Sequence, residues 1–100
     1  MTTNTTTQKL LEDLQSPERS VRYLAAENPN ATPQVLLLAM KDEDQYVRQV
    51  AAWNPNATPQ VLLIALKDND YFVRRAAKWA IEENPLLALQ IAALQGKASS

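Results

Sequence analysis

A stretch of 26 residues occurs twice in tandem. Residues 21–46 read VRYLAAENPNATPQVLLLAMKDEDQY and residues 47–72 read VRQVAAWNPNATPQVLLIALKDNDYF, with 18 of the 26 positions identical. A unit of this length cannot bury an apolar face alone, so tandem copies must bury theirs against one another. The repeat fixes the kind of architecture open to the chain before any single residue is considered.

Each unit predicts two helices. The first opens at Thr32-Pro33 and again at Thr58-Pro59. Threonine caps the first turn, and proline at the first helical position has its φ already set and no N–H left unpaired. These helices are apolar almost all round and must be largely enclosed. The second helix starts at Ser16, Asp42 and Asp68, three capping residue types in one register. Its expected buried stripe is Val21/Leu24/Ala25, Val47/Val50/Ala51 and Val73/Ala76/Ala77. It stops at Asn28-Pro29 and Asn54-Pro55, because the residue before proline is driven out of the α region.

The third unit departs from the pattern. Ala80-Ile81-Glu82-Glu83 replaces the Asn-Pro-Asn-Ala break, so its second helix should run on until Asn84-Pro85 starts the next one in phase. Upstream, residues 8–15 carry Leu10, Leu11 and Leu14 on one helical face. They form a degenerate first copy, with Glu12 and Asp13 where inner copies are apolar. Expected helices are 8–15, 17–27, 33–41, 43–53, 59–67, 69–83 and 85–95, four of the Thr-Pro type and three of the Val-Arg type. The predicted fold is all-α: one right-handed, two-layer α-solenoid domain over 8–95. Residues 1–7 are expected to be a disordered tail and 96–100 a second tail, with Gly96 just past the last helix. The longer sixth helix is expected to cap the stack by covering the apolar surface that a fourth Val-Arg helix would otherwise cover.

Composition removes whole classes of function. The chain has no cysteine and no histidine, which excludes thiolate metal sites and removes the commonest general base and metal ligand. A single glycine leaves no phosphate-cradling loop, and no serine has an activating partner in the sequence. Ten basic and eleven acidic residues give a net charge of −1, so nothing attracts the whole chain to nucleic acid or an anionic membrane. Apolar runs such as 35–40 are too short to span a bilayer. The N-terminal residues lack the basic and apolar regions of a signal peptide. The expectation is a cytoplasmic, non-enzymatic protein with no cofactor, no metal and no membrane association.

The string VRxxAAxNPNATPQxLLxAxKDxD resembles the leucine-rich repeat variant and, more broadly, HEAT-type α-solenoids. The features carrying the resemblance are Val-Arg, the Asn-Pro break, the Pro-x-x-Leu helix and the closing Asp-x-Asp, over residues 16 to about 95. The spacing is slightly longer than in the leucine-rich repeat variant, which favours two full α-helices per unit. The cysteine-ligated cluster of that family's founding member cannot form here. HEAT-type families mostly act as interaction scaffolds, and the resemblance implies that role for this chain.

Each candidate site also has a plainer structural role. Arg22, Arg48 and Arg74 recur once per unit and could grip a carboxylate or phosphate. Glu18–Arg22, Asp44–Arg48 and Asp70–Arg74 are also i, i+4 pairs with the acid first, the stabilising order on a helix. A structural ladder is therefore the expectation. Asp42-Glu43-Asp44 and Asp68-Asn69-Asp70 lack the glycine and late glutamate of a calcium loop. Asn30-Ala31-Thr32 and Asn56-Ala57-Thr58 match the glycosylation sequon, but each threonine already serves as a helix cap.

All six aromatics lie on the Val-Arg helices. Trp53, with neighbours on both sides, is expected to pack on a small residue such as Ala26 or Ala52, whereas Trp79 should be partly exposed. Tyr23, Gln49 and Arg75 share one repeat position away from the valine stripe. Tyr23, Gln49, Arg75 and Trp79, flanked by Trp53, are the predicted centre of a surface for an acidic or extended protein segment. An interaction module leads. The alternatives are a nucleic-acid-binding solenoid using its arginine row and a small non-catalytic relative of HEAT-type lyases.

Overall fold

A computed structural model describes residues 5–96. It holds seven helices: α1 Thr5–Asp13, α2 Arg19–Glu27, α3 Pro33–Ala39, α4 Gln45–Trp53, α5 Pro59–Leu66, α6 Tyr71–Glu83 and α7 Pro85–Gly96. Among the described residues there is no strand, and no helix is long and apolar enough to cross a membrane. Contacts run in two series. α1 touches α3, α3 touches α5 and α5 touches α7, while α2, α4 and α6 neighbour one another in order.

The core repeats with the sequence. Leu10, Leu36 and Leu62 are buried at one repeat position, Ala25, Ala51 and Ala77 at another, and Val47 and Val73 are fully enclosed. Small alanines on the Val-Arg helices let backbones approach closely, and the branched residues fill the space between the two series.

Local chemistry moves several boundaries. Thr32 and Thr58 cap as expected, each Oγ1 accepting the N–H three residues on at 3.4 Å. The Val-Arg helices start two residues later than the spacing suggests, because the two aspartates of Asp-x-Asp divide the work. Asp42 Oδ1 accepts the Asp44 N–H at 2.9 Å, closing a turn. Asp44 Oδ1 then caps α4 through the N–H groups of Tyr46 and Val47. Asp68 and Asp70 repeat the arrangement. Ser16 Oγ accepts the Glu18 N–H, and Glu18 stands at the start of α2 without capping it through its side chain.

Three further expectations are corrected. α1 begins at Thr5, so residues 5–7 of the expected N-terminal tail are helical; residues 1–4 lie outside the described part. Gly96 is the last residue of α7 and has no positive φ, rather than ending the helix from beyond it; residues 97–100 are not described. Leu24 is 61 % exposed although it belongs to the predicted buried stripe. Among the described residues, α2 has a neighbour in its series only on the α4 side, and the opposite flank stays open.

Candidate functional site

Two sets of hydrogen bonds hold the Val-Arg helices in register and thereby fix the face they present. Arg22 Nε donates to Asp42 Oδ2 at 2.9 Å and Arg22 Nη1 to the Ser16 carbonyl at 2.9 Å. Arg48 grips Asp68 with two bonds, Nε–Oδ2 at 2.8 Å and Nη2–Oδ1 at 3.1 Å, and donates Nη1 to the Asp42 and Glu43 carbonyls. Arg22 and Arg48 therefore bridge to the next unit and not to Glu18 and Asp44 four residues earlier. Asp44 and Asp70 cap their own helices, and with Asp44 so committed Arg48 reaches across to Asp68. Arg74 Nη1 donates to the Asp68 carbonyl at 2.8 Å, and among the described residues no carboxylate meets its fork.

Electrostatics follows that geometry. Burial acts to raise the Asp68 pKa, but the hydrogen bond from Arg48, the Asp70 N–H and the charges of Arg48 and Arg74 outweigh it and hold the carboxyl below the usual carboxylate range. The Arg48 guanidinium is raised by Asp68. Asp44 is likewise lowered: burial opposes, while the Val47 and Tyr46 N–H groups and Arg19 prevail.

The second set of bonds lies at the opposite helix ends and was not foreseen. Asn54, only 5 % exposed, donates Nδ2 to the carbonyls of Ala26 and Asn28 at 2.9 Å. Asn56 donates to those of Pro29 and Ala31. Within their own loop, Asn28 and Asn54 each accept the N–H two residues on. The Asn-Pro-Asn motif is thus both a turn and a tie between units. The identity of the motif in both copies is the sequence signal of this second role.

Between these ties the outer side of α2, α4 and α6 is aromatic. Tyr23, Tyr46, Trp53, Tyr71, Phe72 and Trp79 are all exposed. Trp53 is 47 % and Trp79 42 % exposed, and their rings stack on each other with centroids 4.6 Å apart. The expectation that Trp53 would be the better packed of the two is thereby corrected: one repeat step puts equivalent rings within stacking distance. Tyr71 and Phe72 meet edge to face. The Arg19 guanidinium lies 5.7 Å over the Tyr46 ring and also reaches Asp44 at 3.4 Å.

Of the other predicted site residues, Gln49 is partly buried and Arg75 is exposed, its Nη1 3.5 Å from the Tyr71 hydroxyl. Tyr23, Gln49 and Trp53 share a groove of about 370 Å³ with Glu27, Tyr46 and Val50. Arg75 and Trp79 line a separate depression of about 210 Å³ with Lys78 and Glu82. Beyond Tyr23, an apolar hollow of about 600 Å³ is bounded by Arg19, Ser20, Leu24 and Tyr46. The structure thus adds Tyr46 and Leu24 to the face.

Among the described residues, no group of three or more Asp and Glu is placed to hold a metal ion. A scan against protein-family models and searches of curated proteins and of solved structures find no match for this chain.

Proposed function

We propose that this chain is a non-enzymatic protein–protein interaction module: a right-handed, two-layer α-solenoid of the HEAT or leucine-rich-repeat-variant kind, acting in the cytoplasm. The observation that supports it is the exposure of every aromatic side chain on one set of helices. A helical protein ordinarily places such residues in its core, and Tyr and Trp beside arginine are the side chains that dominate binding energy at interfaces. The grooves between Tyr23, Tyr46 and Trp53 suit an extended segment with apolar or acidic side chains. The nucleic-acid alternative loses support because Arg22 and Arg48 already engage Asp42 and Asp68.

Selection from a displayed library of linear peptides tests the reading. Enriched peptides should bind the Trp79→Ala and Arg75→Ala proteins about tenfold more weakly, the size expected for loss of one interface anchor. Undiminished binding to both variants, with the fold intact, would move the interaction elsewhere.

A further inference from the structure

The four Thr-Pro-type helices share a repeat register, and one of them breaks its chemistry. One repeat position carries Gln8 in α1, Gln34 in α3, Gln60 in α5 and Leu86 in α7. Seven residues on, the series is Gln15, Lys41, Lys67 and Ala93. Polar groups stand at both positions in the first three copies and at neither in the last. Between them the register holds Leu11, Leu37, Leu63 and Leu89; the first three are partly covered, and Leu89 is 68 % exposed. Leu86, Leu89 and Ala93 have the i, i+3, i+7 spacing of one helix stripe, turned away from Ile91, which is buried against the rest of the protein. No charged residue occurs from 84 to 96.

We propose that this stripe is the interface of a two-fold symmetric dimer in which α7 pairs antiparallel with α7 of a second copy. The inference does not rest on the aromatic face. An apolar, uncharged stripe complements itself, and it does not complement the other end of this chain, where the outer side of α1 presents exposed Gln8, Lys9 and Glu12. Charge supports the antiparallel sense. Glu82 and Glu83 are exposed just before α7 and, among the described residues, form no ion pair. At the other end of α7, Leu94 holds the register position that Asp42 and Asp68 hold for Arg22 and Arg48, which leaves the Arg74 fork without its carboxylate. An antiparallel pair brings the Glu82–Glu83 end of one copy to the Arg74 end of the other. The same contact made by both copies closes on itself, so the assembly stops at two.

Sedimentation or light scattering on the full chain across low to high micromolar concentration tests this. The wild type should reach twice the 11.2 kDa chain mass. The Leu86→Gln/Ala93→Lys variant, which gives α7 the residues α5 carries at those positions, should remain monomeric with unchanged helicity and melting. Glu82→Lys/Glu83→Lys should raise the dimer dissociation constant about tenfold. A monomeric wild type, a variant that still dimerises, or species larger than a dimer would overturn the proposal. An unchanged dissociation constant in the glutamate variant would overturn the antiparallel arrangement.

Discussion

The first and last helices of the Thr-Pro series are built to one template and finished differently. α1 buries Leu10, with Leu14 buried just beyond it, and turns Gln8, Lys9 and Glu12 outward, with Lys9 paired to Asp13 at 2.8 Å. α7 buries Ile91 and turns out Leu86, Leu89 and Leu94. The contrast reaches individual register positions: Leu10, Leu36 and Leu62 are enclosed, and their counterpart Ala88 is exposed. A helix at the end of a row needs polar residues on the side that has no neighbour. α1 meets that requirement and α7 does not. The extended α6 packs Ala80 and Ile81 against the core, and the outer stripe of α7 stays open.

Truncating one enclosed and one exposed leucine should sharpen this contrast most. Leu10→Ala should destabilise the protein by about 2–5 kcal/mol, the usual cost of a cavity at an enclosed leucine. Leu89→Ala, measured at a concentration too low for association, should cost no more than about 0.5 kcal/mol. Equal losses in urea titrations would mean that the two ends are finished alike.

The arginine ladder gives a second contrast, between an inner rung and the last. Asp68→Asn removes the carboxylate that Arg48 holds with two bonds and should cost about 1.5–3 kcal/mol. Arg74→Ala, at the rung that meets only a carbonyl, should cost about 1 kcal/mol. Thermal melting measures both, and a larger loss at Arg74 would show that its fork has a partner of its own.

Acid should act through the inner rung. Asp68 and Asp44 are lowered by folding, so each contributes stability that is present above the ordinary aspartate value near pH 4 and lost as pH falls through the lower folded-state value. Stability should therefore decline as pH drops below about 4, and the decline should be shallower in Asp68→Asn. An identical pH dependence in both proteins would remove Asp68 from the account. At the tryptophan stack, Trp79→Ala should cost about 0.5–1.5 kcal/mol in a urea titration.

The helix number and the threonine caps were legible because they depend on neighbours in sequence. Thr32-Pro33 and Thr58-Pro59 act within one turn, and so do the Asn-Pro stops. What escaped was anything decided between units. Spacing alone cannot tell whether Arg48 prefers Asp44, four residues back, or Asp68, twenty residues on. The choice turns on Asp44 being committed to the Tyr46 and Val47 N–H groups. The placement of α1 was missed for a related reason, since threonines 5–7 are weak helix formers that here continue a helix held by Leu10 and Leu14. Exposure of Leu24 was equally hidden, because the stripe pattern does not say which helix lacks a neighbour.

The ties between units also bear on how quickly the chain can find its structure. Arg22 reaches Asp42 and Arg48 reaches Asp68 across 20 residues, and Asn54 reaches back 28 residues to Ala26. The ties therefore close modest loops and never require the two termini to meet. Closing loops of that size costs little chain entropy, and proteins dominated by near-sequence contacts fold in microseconds to milliseconds. Each unit can dock as soon as its predecessor exists, so order can spread along the chain from wherever it first forms.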